Sequence, residues 1–136
     1  MDTFPASLQR PALQEFAAAL CSRDNAIKRD ECGDWQIAGA AGHVYAYAPG
    51  RFQFFVFTPS ARAWGFAKAA LDFAMIQNDG DEEGGYLLDR LPTRPEAAAI
   101  RRYCGIEKKR ELSDESLIAL RAQFAAVRSP GFARAA

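Results

Sequence analysis

Apolar side chains recur at helical spacing near the start of the chain. Leu13, Phe16 and Leu20 follow one another at intervals of three or four residues, which places them on one face of a helix. Pro11 suits a first helical turn because its missing N–H would have no partner there. The sequence therefore predicts a helix over residues 11–28 with one buried face.

The period then changes from helical to extended. Turn-forming residues at 39–42 and 49–50 separate short aromatic and β-branched runs. Such short connections join antiparallel neighbours, so a three-stranded meander is predicted. Consecutive apolar residues at 54–57 predict a central strand covered on both faces. The three runs are residues 34–38, 43–47 and 51–58.

A second helix is predicted after the meander, over residues 60–76. Ser60 is the expected N-cap, and Trp64, Leu71 and Met75 lie on a wide apolar face that would pack against the sheet. A short fourth strand is predicted at residues 86–89.

The last third of the chain carries helix-end signals. Thr93 and Glu96 have the spacing of a capping box, and Gly105 has the position of a left-handed C-terminal residue. Ser113 is the expected cap of a final helix that ends near Arg128.

These elements predict an α+β fold. Its parts are an N-terminal helix, an antiparallel β-meander of three to four strands, a covering helix and two C-terminal helices. Residues 1–128 form one predicted domain, and residues 129–136 are predicted to be a frayed tail. The length of 136 residues, with 49% apolar and 12% aromatic, suits one domain with a real core.

Charge is distributed unevenly along the chain. The 17 basic and 17 acidic residues cancel, yet residues 1–89 carry 7 basic and 12 acidic side chains, and residues 90–136 carry 10 and 5. A zero net charge alone would argue against polyanionic partners, but this −5 and +5 split leaves them open.

Compartment signals favour the cytoplasm. No basic segment precedes an apolar run at the start, and no uncharged run is long enough to cross a bilayer, so neither a secretory signal nor a membrane span is expected. The odd, widely spaced cysteines favour reduced thiols. The excess of Arg (13) over Lys (4), with 27 Ala, indicates a GC-rich bacterial genome.

Cys32 and His43 are the candidate catalytic pair. A thiol beside an imidazole, with a carboxylate behind it, is the arrangement of an activated nucleophile. The acidic residues around Cys32 disfavour a thiolate, however, and an inert cysteine and a structural histidine explain the same residues.

Two metal sites were considered, and neither pattern is complete, so no metal or other cofactor is assigned. Asp79, Asp81 and Glu83 occupy positions 1, 3 and 5 of a calcium-loop pattern, but Arg90 stands where the bidentate Glu belongs, which favours a solvated loop. The zinc-type donors lack a close cysteine pair. They are Cys21, Cys32, His43 and Cys104.

A cluster of cations near the end of the third predicted helix is the candidate anion or nucleic-acid site. Its residues are Arg101, Arg102, Lys108, Lys109 and Arg110. The link of residues 105–112 is too long for a helix-turn-helix motif. Pairing with the acidic front of the chain, and the helix dipole acting on two of the arginines, are the competing explanations.

The concentration of aromatic residues in the sheet is compatible with a core or with the lining of a ligand pocket. Because no catalytic motif is complete, the sequence favours a non-enzymatic binding or adaptor module that acts through a protein surface or self-association. The alternatives are a nucleic-acid-associated protein and a small hydrolase or transferase that depends on Cys32 and His43.

Overall fold

The computed structural model describes residues 4–109 and 118–123, apart from the side chain of Asp24. This part of the chain contains a six-stranded sheet, three long helices and a helical stretch at residues 118–123. The helices are α1 (Ala6–Leu20), α2 (Ala61–Ala70) and α3 (Arg94–Cys104). The strands are β1 (Ile27–Arg29), β2 (Trp35–Ala38), β3 (Gly42–Ala48), β4 (Arg51–Phe57), β5 (Met75–Asp79) and β6 (Glu83–Leu88).

The strands form one antiparallel sheet in the order β1-β2-β3-β4-β6-β5. The first four are a meander, in which each strand pairs with the next along the chain. Helix α2 then carries the chain from β4 past the position of β6 to the outer strand β5, and a hairpin returns it to β6 beside β4. Strand β4 is therefore paired along both of its edges.

All three helices lie against the same face of the sheet. Helices α1 and α3 contact the middle strands, and α2 reaches β6, where the Trp64 ring packs edge-on against Tyr86. Tyr86 in turn stacks on Phe54 with 5.0 Å between ring centroids. Alternate strand residues on this face are buried, as period-two geometry requires. They include Val44, Ala46, Phe52, Phe54 and Val56.

The turn between β2 and β3 is bonded to the end of α3. The backbone N–H groups of Ala40 and Ala41 donate to the carbonyl oxygens of Gly105 and Cys104, each over 2.9 Å. A Cβ atom on Gly39 would overlap the Cys104 carbonyl oxygen. This close backbone approach requires glycine at position 39.

The predicted α+β fold is confirmed, with six strands where three to four were predicted. Strand β4 is central as predicted, but only one of its faces is covered. Helix α1 spans residues 6–20 instead of 11–28, with Pro11 inside it. It ends at Cys21, which adopts a left-handed conformation (φ 56°), and residues 27–29 pair with β2 as strand β1.

The second helix is shorter than predicted. Ser60 is its N-cap, as expected, and accepts a hydrogen bond from Ala63 N–H at 3.1 Å. The helix ends at Ala70, however, and residues 75–79 form β5 instead of the helix end and acidic loop that were predicted. The predicted fourth strand is present as the longer β6.

The ends of α3 are as predicted. The Glu96 carboxylate accepts the Thr93 N–H at 2.9 Å in a capping box, and Gly105 is left-handed with φ 68°. Arg90 binds both carboxylate oxygens of Glu96, and this pairing lowers the pKa of Glu96 to about 2. Ser113, Arg128 and residues 129–136 lie outside the described residues. Within the described residues, no helix combines the length and apolarity needed to cross a membrane.

Two glycine substitutions should change the free energy of unfolding in opposite directions. In Gly84→Ala the new methyl group overlaps the Trp64 indole and lies 2.5 Å from the Asn78 carbonyl oxygen, so we expect a loss of about 1–3 kcal/mol. Gly65 is inside α2 with open space around it, so Gly65→Ala should gain about 0.5–1 kcal/mol. Urea unfolding followed by circular dichroism measures both. Equal stability of the two variants would contradict the packing of α2 on β6.

Candidate functional site

The face of the sheet opposite the helices carries a group of aromatic rings, here called the aromatic cluster: His43, Tyr45, Phe55 and Phe57. His43 and Phe55 are directly opposed on β3 and β4, and their ring centroids are 5.0 Å apart. The His43 ring lies 5.0 Å from Tyr45 and 5.7 Å from Phe57. The uncovered face of an antiparallel sheet is usually polar, so this cluster is the candidate functional surface.

A cavity of about 500 Å³ opens beside the aromatic cluster. His43, Phe55 and Phe57 form its apolar wall, and Asn78 and Glu83 are among its other lining residues. The strand opposite Phe55 contributes Gly85, where a Cβ atom would be 2.9 Å from the Phe55 ring. Absence of a side chain there leaves the faces of the rings open on the side of β6.

Strand β5 extends this surface to the edge of the sheet. All five of its residues are exposed, including Met75 at 60% and Ile76 at 41%. Within the described part of the chain, the outer edge of β5 has no strand partner. Phe57, 45% exposed, carries the apolar surface from the cluster toward this edge.

Hydrogen bonds hold one end of the aromatic cluster. The Tyr45 hydroxyl donates to Asp30 Oδ2 at 2.9 Å, and Asp30 Oδ1 accepts the backbone N–H groups of Cys32 and Asp34 at 2.9 Å each. The Tyr45 bond is the main cause that lowers the pKa of Asp30. Burial, with this same bond, raises the pKa of Tyr45 to about 12.

The aromatic cluster is uncharged at neutral pH. Burial lowers the pKa of His43 below its usual value, and the nearby Asp30 carboxylate opposes this effect without reversing it. Tyr45 keeps its proton because its pKa is raised. The cluster therefore presents neutral rings, with Asp30 as the charged group at its end, which suits apolar contact better than proton transfer.

The candidate pair Cys32 and His43 is connected only indirectly. Cys32 is exposed in the turn before β2, and its backbone is held by Asp30. His43 reaches Asp30 through its neighbour Tyr45. Among the described contacts there is no hydrogen bond from the Cys32 thiol to the imidazole.

The candidate metal ligands point in different directions. Asp79 faces the helix side, where it accepts hydrogen bonds from Trp64 Nε1 at 2.8 Å and Lys68 Nζ at 3.2 Å. Glu83 is opposite Phe57 on the other face, and Asp81 lies in the exposed turn between them. The residues that the structure describes contain no group of three His, Cys, Asp or Glu side chains placed to hold a metal ion.

The cysteines also lie apart. Cys104 is buried under the sheet, and burial raises the pKa of its thiol to about 12. Cys21 is at the end of α1, and all three cysteines have free thiols.

The two arginines of the predicted cationic cluster have separate surroundings. Arg101 is half-buried and donates from Nη1 to the Leu20 carbonyl oxygen at 2.5 Å, which binds α3 to the end of α1. Arg102 is exposed and lies over the Tyr103 ring at 5.4 Å.

The lysines follow in an exposed segment after α3. Lys108 pairs with Ser22 in an isolated β-bridge, and the Lys109 backbone N–H donates to the Cys21 carbonyl oxygen at 2.5 Å. Arg110 lies outside the described residues. The structure thus brings Arg101 and Lys108 to the same end of α1.

Two parts of these surfaces were not predicted from the sequence. Strand β5 was missed because its residues were assigned to a helix and a loop. Arg94 was treated only as part of a helix start, although its side chain lines a cavity with Arg101 and Lys108. No local sequence signal marks either feature, since both depend on which elements pack together.

Comparison with protein-family models, with curated proteins and with solved structures gives no match for this chain.

Replacing His43 should reduce the dependence of stability on pH. Because the pKa of His43 is lowered in the folded protein, the unfolded chain binds more protons as the pH falls below about 6.5. The wild-type chain should therefore lose stability between about pH 7 and 5. His43→Phe keeps a ring in the cluster and removes the only histidine of the chain, so it should lose less. Urea unfolding at both pH values measures this, and an equal loss in both proteins would contradict the burial of His43.

Proposed function

We propose that this protein is a non-enzymatic cytoplasmic binding module that associates with a second copy of itself through the aromatic cluster and the adjoining edge strand β5. The observation that carries the proposal is the exposure of aromatic rings on the face where an antiparallel sheet ordinarily presents polar residues. A surface of this kind gains free energy when a partner covers it, at roughly 25 cal/mol per Å² of apolar area.

The shape of the surface supports a protein partner. Phe57 and Met75 protrude from neighbouring parts of the same face and offer large apolar contacts, the type of residue that dominates binding energy in interfaces. The cavity beside Phe57 gives a protruding side chain of the partner a place to enter. Polar groups that surround it, such as Asn78 and Glu83, supply a rim.

Self-association is favoured by charge. The net charge of zero removes the long-range repulsion that keeps highly charged proteins apart. A twofold axis near β5 would place each copy's Phe57 and Met75 against the same patch of the other, as isologous dimers require. Arg62, stacked over the exposed Phe66 of α2 at 5.8 Å, adds a cation for the partner's acidic β5–β6 turn.

The state of the candidate catalytic groups supports binding over catalysis. The thiol of Cys32 has no described hydrogen bond to His43, and the high pKa of Tyr45 makes it a poor proton donor near pH 7. The three free cysteines support a reducing compartment, which is the basis for proposing a cytoplasmic location.

Charged substitutions within the surface should dissociate the dimer without unfolding the chain. Phe57→Asp and Met75→Lys change exposed side chains, so we expect native circular dichroism and at least about a tenfold weaker dimer, or roughly 1.4 kcal/mol of association free energy, for each. Sedimentation equilibrium over a range of concentrations gives the dissociation constants.

Leu8→Asp is the matched control, because Leu8 is equally exposed (52%) but lies on α1, away from the proposed surface. It should retain wild-type association. A wild-type chain that remains monomeric up to millimolar concentration would contradict self-association. An equal loss of association in Leu8→Asp would contradict the assignment of the surface.

A further inference from the structure

A small cavity of about 160 Å³ lies where the end of α1, helix α3 and the segment after α3 meet. Three cationic side chains line it: Arg94 from the first turn of α3, Arg101 from its last turn, and Lys108 from the following segment. Cys21 and two alanines complete the described lining, which contains no acidic residue.

Backbone and side-chain bonds fix the walls of this cavity. Arg101 is anchored on the Leu20 carbonyl oxygen, and the bridge between Ser22 and Lys108 holds the chain that carries the lysine. The Lys109 backbone N–H covers the Cys21 carbonyl oxygen. The carbonyl groups at the end of α1 would otherwise repel an anion, but these two already accept hydrogen bonds.

The three cations are not balanced by the nearby acids that the structure describes. Glu96 is bound to Arg90 on both oxygens, and Glu107 forms its ion pair with Arg23 at 3.3 Å. Arg94 also lies in the first turn of α3, where the helix dipole disfavours a positive charge. Three like charges around one cavity repel one another unless an anion lies between them.

We propose that this cavity is a binding site for a single oxyanion of the phosphate class, held by Arg94, Arg101 and Lys108. Guanidinium groups bind phosphate oxygens in pairs of hydrogen bonds, and a lysine adds a point charge. The volume accommodates one such group with a few water molecules, each of which needs about 30 Å³. The site is on the helix side of the sheet, so it is independent of the proposed dimer surface.

A free phosphate and the backbone phosphate of a nucleic acid share this chemistry. The two sources are distinguished by comparing inorganic phosphate with a short single-stranded oligonucleotide at the same ionic strength. Binding to backbone phosphate gains affinity from several contacts and weakens steeply with salt, whereas a single enclosed anion shows a shallow dependence.

Cys21 provides a direct reporter, since it lines the cavity, whereas Cys32 is exposed elsewhere and Cys104 is buried. We expect phosphate to slow alkylation of Cys21 by neutral iodoacetamide, measured by mass spectrometry, while Cys32 reacts at an unchanged rate in the same sample. At a phosphate concentration ten times Kd, the rate at Cys21 should fall by about tenfold. Chloride at matched ionic strength is the reference.

Arg94→Gln should abolish the protection, because it removes one of the three cations and leaves the anchor of Arg101 intact. Arg62→Gln, which removes an exposed arginine on α2, should leave protection as in the wild type. Protection by phosphate alone identifies a free oxyanion, and stronger protection by the oligonucleotide identifies a nucleic-acid phosphate. The proposal is overturned if neither compound protects Cys21, or if protection persists in Arg94→Gln.

Discussion

The packing of three helices against one face of a single sheet is the constraint from which the other properties of this structure follow. Phe54 and Tyr86 stack beneath Trp64 on that face and leave no helix for the opposite face. Because strand residues alternate between faces, the apolar residues next to them in sequence, Phe55 and Phe57, must emerge on the uncovered side. The aromatic cluster is thus a direct result of a doubly apolar central strand in a sheet with one covered face.

Features with local causes could be predicted from the sequence, and those that depend on distant partners could not. Ser60, the pair Thr93 and Glu96, and Gly105 act within one helical turn of themselves, so their spacing was sufficient. Strand β5 exists because its backbone pairs with β6, and its five exposed residues show no buried period. Strand β1 likewise depends on pairing with β2, and α1 ends without the glycine that usually marks a left-handed terminus.

The same distinction separates the two candidate sites. The aromatic residues of the cluster were identified from the sequence, but only the register of β3 against β4 shows that His43 and Phe55 share the uncovered face. The cationic cavity needed more, because Arg94, Arg101 and Lys108 come together only when α3 and the segment after it pack on α1. Proximity along the chain instead favoured Arg102 and Lys109, of which neither lines that cavity.

The bonds between the β2–β3 turn and the end of α3 also restrict how this fold can change in evolution. A hairpin tip ordinarily accepts inserted residues, since it projects into solvent. Here Ala40 and Ala41 pair with carbonyl groups some 65 residues away, and Gly39 leaves no space for a side chain. Both the length and the composition of this turn are consequently fixed by α3. Variation in length is better tolerated at the exposed Pro49–Gly50 turn, which contacts no helix.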